Sequence, residues 1–491
     1  MVLLLAFYLA SKQTEKRNLD RLYRMAQFSQ IVDHLKDSPF DKLPDKEKLL
    51  YVECLARTSQ RNEAERLLEK LLSDPTSISQ VQATSGIVYL SLGQLERAED
   101  HIQQALSQDP DCAKAKLTKM MLLLYLQNYQ EAQELYKEFN RKYQDWAETY
   151  LFYLIGIEIY GATRNISKIG ELYKNQAARL KGQDKEQYEN FRKNSRLYKK
   201  PPQKRFFEFA NASDKVELPF SEPLDKTHSP ILSLKTEDRP FTIILDTGNR
   251  VGWMIHSREL NRRLKSKTGG MGLAQIGAEE GLLHGQHIFT ERLEFGYLSL
   301  RNLAGMYVPK LHPGYPDANL NPLFIKDRVI TLDFIKEVLI LRSEERFQND
   351  LDSISARSSR PLILPWYGYK EAFVPVTING NWKALAILET GAEDITLSLD
   401  FAKSHQMPLE PAVKYIASGK QFLFHRTPLT LYLGPLMFER PAADVWALGQ
   451  LTDPITGFAP DVIVGPDFFK KRWTISFDSF EHRVILSNYS H

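Results

Sequence analysis

Hydrophobic and polar positions change their texture once along the chain. Up to about Leu180 the pattern is helical and repetitive. Ala64, Ala98 and Ala132 are spaced by 34 residues, each inside a similar phrase: Asn62-Glu63-Ala64-Glu65-Arg66-Leu67, Leu95-Glu96-Arg97-Ala98-Glu99 and Tyr129-Gln130-Glu131-Ala132-Gln133-Glu134-Leu135. A fixed period of that length predicts a two-helix unit stacked in tandem. From Val216 onward, short alternating apolar runs are broken by Gly, Pro, Asn and Asp, a texture that predicts strands joined by turns.

The middle copy is the fullest. With Gly86, Tyr89, Gly93, Ala98, Ala105 and Pro110 at their offsets it resembles a tetratricopeptide repeat, in which small residues let two helices approach and a proline stops the second one. A looser fourth copy follows, because Gly170-Glu171-Leu172-Tyr173-Lys174 echoes Gln133-Glu134-Leu135-Tyr136-Lys137. Helical segments before the array, such as Leu19 to Leu35, are expected to add a half-repeat or cap. The competing reading is an ordinary helical bundle with a coincidental period.

At 491 residues the chain has room for three domains. The helical repeat domain is expected over 1–200. A linker follows over 201–215, where Lys199-Lys200, Pro201-Pro202 and Lys204-Arg205 read as a solvated connector. Two β-lobes of similar plan are expected at 216–345 and 361–491, divided at 346–360 by a stretch rich in Ser, Arg and Asp.

Each lobe carries one acid in the same setting. Phe241-Thr242-Ile243-Ile244-Leu245 runs into Asp246-Thr247-Gly248, and Ala384-Leu385-Ala386-Ile387-Leu388 runs into Glu389-Thr390-Gly391. An acid at the end of a buried strand is costly unless its oxygens are satisfied. The Gly permits close approach of backbone N–H groups, and the Thr hydroxyl can bridge to a facing lobe. Two such turns meeting at a pseudo-two-fold axis would share one proton, so that one carboxyl acts as base on a water and the other as acid.

The second lobe's Ile387-Leu388-Glu389-Thr390-Gly391-Ala392-Glu393-Asp394-Ile395-Thr396-Leu397-Ser398 resembles the active-site segment of retroviral and bacterial retropepsins, with Glu in place of the usual Asp. Val462-Ile463-Val464-Gly465-Pro466-Asp467-Phe468-Phe469, then Trp473 to Asp478 and Val484 to Leu486, is similar to that family's second apolar-Gly loop, helix and closing strands. In the first lobe, Leu320-Asn321-Pro322-Leu323-Phe324 puts Asn321 at the expected Gly, a substitution that left-handed backbone would tolerate. The resemblance spans about 270 residues. It implies a multidomain chain: an all-α tetratricopeptide solenoid, then two all-β acid-protease lobes forming a pseudo-dimer. It further implies an aspartic endopeptidase with catalytic Asp246 and Glu389, supporting turns Thr247-Gly248 and Thr390-Gly391, a peptide or unfolded-protein substrate, and no cofactor or metal.

Glu389 leaves a second reading open, a catalytically degenerate scaffold that binds peptide by strand pairing. The extra methylene carries the carboxyl about 1.5 Å further, in a site where geometry is held to about 0.5 Å. Glu389→Asp would raise turnover if the longer chain misplaces the proton, and lower it if the site is adapted to Glu. Asn249 replaces the usual Ala or Ser after the first glycine and could bond near the water. Thr268-Gly269-Gly270-Met271-Gly272 to Gly281 is the candidate substrate flap, with a fainter counterpart at Ser418-Gly419-Lys420; Asn379-Gly380 reads as a tight structural turn. In a third reading the lobes pair between chains, Asp246 with Asp246.

Composition changes little in this picture. Hydrophobic residues at 43%, charged residues at 25% and a net charge of +3 fit soluble globular domains and give no support to nucleic-acid binding. Cys54 and Cys112, both in the helical half, suit neither a disulfide framework nor a zinc site, and His256, His284 and His425 lack metal-ligand spacing. The apolar run Val2 to Ala10 is too short to span a membrane. If it is an atypical signal the protein is periplasmic or secreted, and otherwise cytoplasmic. A monomer is expected, with the repeats recruiting a protein partner or substrate.

Overall fold

The computed structural model describes residues 19–73, 78–147, 149–163, 165–181, 185–199, 207–209, 214–236, 239–275, 282–295, 298–309, 315–325, 327–357, 361–417, 420–453 and 455–488. The apolar Val2 to Ala10 run, Lys200 to Arg205, the distal part of the candidate flap (276–281) and Ser418-Gly419 lie outside them. The chain divides into two compact units, Met1–Asn165 with Leu451–Ala459, and Ile166–Gln450 with Pro460–His491.

The first unit is built from helix pairs: Asp45–Arg57 with Arg61–Leu72, Ile78–Ser91 with Leu95–Gln108, and Ala113–Tyr125 with Tyr129–Lys142, followed by Tyr150–Ala162. Ala64, Ala98 and Ala132 are all fully buried, so the 34-residue register marks equivalent core positions. The turns inside the pairs keep the same period. Ser59 (φ 65°), Gly93 (71°) and Gln127 (59°) are left-handed. The next amide closes each helix end, Gln60 N–H to Leu55 O at 3.0 Å, Gln94 to Tyr89 at 2.9 Å and Asn128 to Leu123 at 2.9 Å. Only Gly93 takes that conformation freely; Ser59 and Gln127 adopt it against their Cβ, which hides the turn from a search for glycine. Pro110 lies just past the helix that ends at Gln108.

A charged cluster sits in this core. Glu53 is fully buried, with Arg57 at 2.9 Å, Lys114 at 2.8 Å and the Tyr23 hydroxyl at 2.6 Å. Burial alone pushes its carboxyl up. Lys114 and Arg57, with hydrogen bonds from Lys114 and Tyr23, outweigh that and hold it at about 2.

The second unit opens with helices Ile166–Leu180 and Lys185–Leu197, so the stretch echoing a fourth repeat pairs with the helix after it. Two β-lobes follow with one strand order. In the first lobe the sheet runs Ile231–Thr236, Arg239–Leu245, Ala318–Leu320, Trp253–Ile255, Leu298–Tyr307, Leu282–Phe295 and Lys267–Gln275. In the second it runs Phe373–Ile378, Trp382–Leu388, Val462–Val464, Ile395–Ser398, Leu436–Trp446, Lys420–Leu433 and Val413–Ala417. The Asn379-Gly380 turn between the first two has φ of 50° and 75°, as a tight hairpin requires.

A six-stranded antiparallel sheet joins the lobes, in the order Leu362–Pro365, Arg483–Ser487, Thr474–Asp478, Val329–Asp333, Val338–Arg342 and Lys215–Pro219. Each lobe gives three strands. The local two-fold passes between Thr331 and Ser476, which are paired in register with hydroxyls 2.7 Å apart. It relates turns as well: Asp333 Oδ1 accepts from the Ile335 and Lys336 amides, Asp478 Oδ1 from those of Phe480 and Glu481, and Glu337 and His482 are both left-handed. The lobes thus pair within one chain. The stretch read as an interlobe linker, 346–360, is mostly covered by the helix Glu344–Arg357, which begins just before it at two acids that favour a helix start.

Candidate active site

Each acid stands where its strand is threaded by a distant one. Leu245 is in parallel register with Leu320, which pairs on its other side with Trp253; Leu388 matches Val464, which pairs with Ile395. The Asp246 amide donates to Leu320 O and the Glu389 amide to Val464 O, both at 3.0 Å. The turns then close alike, Asn249 N–H to Asp246 O at 3.2 Å and Ala392 N–H to Glu389 O at 3.3 Å.

The predicted turn residues come together. Thr247 Oγ1 donates to Leu388 O at 2.6 Å, and Thr390 Oγ1 to Leu245 O at 2.5 Å. In return the Thr247 amide donates to Thr390 Oγ1 at 3.1 Å, and the Thr390 amide to Thr247 Oγ1 at 2.9 Å. Both threonines are buried, so each of these polar atoms depends on the facing lobe. The glycines are required for space. A Cβ on Gly248 would lie 2.5 Å from Glu389 Cδ, and one on Gly391 2.7 Å from Asp246 Oδ1. Each half-buried carboxyl therefore packs over the opposite lobe's glycine.

Their environments differ. Asp246 Oδ1 accepts from the Gly248 amide at 3.0 Å, and Oδ2 accepts from Asn319 Nδ2 at 3.3 Å. Burial raises its pKa, these bonds and the Asn249 amide lower it, and the nearby Glu371 charge raises it, for a result of about 6. Glu389 is raised by burial, then by Asp246 and Glu371, and lowered only by Arg250, reaching about 8. The donors around Asp246 favour its carboxylate, and the two groups titrate as a unit.

Three neighbouring residues escaped the sequence reading, Asn319, Arg250 and Glu371. Asn319 matches Ile463 of the other lobe, since both lie in the threading strand beside the acid strand; a polar residue inside Ala318-Asn319-Leu320 was its signal. Asn321, read as a tolerated stand-in for Gly in left-handed backbone, has φ −82° and needs no such tolerance. Its amide instead donates to Thr247 O and Asn249 O, each at 3.1 Å, and to Lys370 O at 2.8 Å, while its Oδ1 accepts from the Leu323 amide at 2.9 Å. Gly465 also has negative φ (−86°); a Cβ there would meet Glu393 O at 2.5 Å. Arg250 Nε is bonded to Glu371 Oε1 at 2.7 Å, a pair joining the lobes beside the acids. Asn249 uses its Oδ1 on the Val251 amide at 3.1 Å.

The first-lobe hairpin is held from outside the sheet. Gly270 N–H donates to Asn194 Oδ1 at 2.7 Å and Met271 N–H to Asn190 Oδ1 at 3.1 Å, both from helix Lys185–Leu197. Among the described residues no group of acids, His or Cys could hold a metal ion, and no helix is long and apolar enough to cross a membrane. Cys54 and Cys112 are free and buried. His256 is buried against Val308 O at 3.0 Å, and His425 meets Glu410 O at 2.8 Å.

No family model and no curated protein matches the chain. Among solved structures, a tetratricopeptide repeat protein from Parabacteroides merdae is similar at 14% identity over 39% of this chain and 71% of its own, with a TM-score of 0.25. Basic 7S globulin from soybean is similar at 11% identity over 56% of this chain and 97% of its own, with a TM-score of 0.33. Likenesses at these scores do not define a fold. What stands is a helix-pair array and a β-rich half organised around a six-stranded sheet.

Proposed function

We propose that the second unit is an aspartic-type endopeptidase of retropepsin-like plan, with Asp246 as base and Glu389 as acid. The observation that carries this reading is the reciprocal threonine bonding, which sets both carboxyls over the opposite glycines. Asp246, better supplied with donors, is the carboxylate and takes a proton from a water as the water oxygen attacks the peptide carbonyl carbon. Glu389 gives its proton to the carbonyl oxygen, producing a neutral gem-diol. Asp246 then protonates the leaving nitrogen, Glu389 recovers a proton from a gem-diol hydroxyl, and the C–N bond breaks. The substrate is an extended peptide or unfolded protein. The helix-pair array supplies a surface for a protein partner.

Glu389 fits this scheme as it stands. Its carboxyl sits against Gly248 as closely as Asp246 sits against Gly391. The test is cleavage of unfolded casein by the full chain from pH 4 to 9, with Asp246→Asn alongside. Cleavage lost in that variant supports the reading. Absence of cleavage at every pH, with peptide binding kept in the variant, would leave a non-catalytic peptide scaffold.

A further inference from the structure

The first unit contains a stretch remote in sequence, Leu451–Ala459. It lies along the row where the first helix of each pair ends. Arg57, the last residue of Asp45–Arg57, donates through Nη1 to Ile455 O. Arg61 Nη1 donates to Ala459 O at 3.0 Å and to Ser91 O at 3.2 Å, tying the stretch to the end of the next first helix. The hydroxyls of Ser59 and Thr452 are bonded, and Tyr125 OH lies 3.2 Å from Thr456 Oγ1. Phe458 is fully buried, edge-on to Tyr125 with ring centroids 5.4 Å apart.

The stretch shapes itself for this contact. Asp453 Oδ1 accepts from the Ile455 and Thr456 amides at 2.8 Å each, its carbonyl accepts from Gly457 N–H at 2.8 Å, and its amide donates to Phe458 O at 2.7 Å. Gly457 has φ 75°, and a Cβ there would lie 2.3 Å from Ala56 O, so only glycine brings the turn this close. Arginines on main-chain carbonyls, a hydroxyl pair and one sealed aromatic form the contact set of a peptide anchor.

We propose that this face of the array is a peptide-recognition surface whose resident ligand is the chain's own Leu451–Ala459. A partner protein takes the face only by exchange, offering a turn of the same chemistry: an acid capping the turn, a left-handed glycine, then an aromatic. This does not depend on the peptidase reading.

The test uses the full chain with residues 452–458 replaced by an equal number of Gly and Ser, probed with a fluorescent synthetic peptide of residues 449–461. The emptied chain should bind at least about tenfold tighter than the native one, whose site is filled at high effective concentration. A peptide carrying Phe458→Ala should bind at least about tenfold more weakly. Equal binding to both chains, indifference to Phe458→Ala, or no binding to an emptied chain with native helical circular dichroism would overturn the proposal. Should the replaced chain not fold, Phe458→Ser in the full chain is read against the same outcomes.

Discussion

The two acid turns share a backbone and differ in their surroundings. Both are threaded, both are bound through threonine to the facing lobe, and both set a carboxyl over a glycine. Around them the first lobe places Asn319 and Asn321 where the second places Ile463 and Gly465, and the Arg250 and Glu371 pair lies beside the acids. Symmetry brings the carboxyls together, and the departures from symmetry give Asp246 more hydrogen-bond donors than Glu389. An identical pair would have to draw that difference from the substrate.

The largest effect that probes this comparison is removal of either acid. Asp246→Asn and Glu389→Gln should each lower casein turnover by about 10³-fold or more. The same Glu389→Gln change should stabilise the protein. A carboxyl raised from 4.5 to about 8 in the folded state binds its proton more tightly there than in the unfolded chain. Its contribution is therefore fully favourable below about 4.5 and is lost as pH rises through about 8. The melting gain of Glu389→Gln should appear at pH 8 and vanish at pH 4; a gain of equal size at both would mean the carboxyl is not held protonated.

Next in size is the threonine bridge. Thr247→Val and Thr390→Val each strand buried donors and acceptors on the facing lobe and should cost about 2–3 kcal/mol in urea unfolding of the full chain. The two losses should match within about 0.5 kcal/mol. A clear inequality would break the two-fold comparison at its centre. Glu389→Asp comes third, because the carboxyl retreats from Gly248 by about 1.5 Å and turnover should fall about tenfold. A rise would show that the second lobe is misfitted.

The smallest effects sharpen the asymmetry. Cleavage should peak between the Asp246 value of about 6 and the Glu389 value of about 8. The Glu371 charge raises both acids, so Glu371→Gln should move both limbs of the pH profile down. Arg250 lowers Glu389, so Arg250→Met should move the alkaline limb up. A profile unmoved by both changes would remove the interlobe pair from the site's electrostatics.

Much of this was legible in the chain because it depends on local pattern. The 34-residue register of Ala64, Ala98 and Ala132 and the apolar strands running into Asp246-Thr247-Gly248 and Glu389-Thr390-Gly391 are short-range signals of packing and turn chemistry. The positive-φ turns at Ser59 and Gln127 were not legible, since neither residue announces a left-handed backbone. Tertiary structure decided three further things. Strand threading put Asn319 beside Asp246, seventy-three positions away; the facing lobe gave Arg250 its partner Glu371; and the array drew Leu451–Ala459 into its own unit. The physical reason is the same in each case. A hydrogen bond or buried ring acquires its meaning from what faces it, and the residues that face each other here lie tens to hundreds of positions apart.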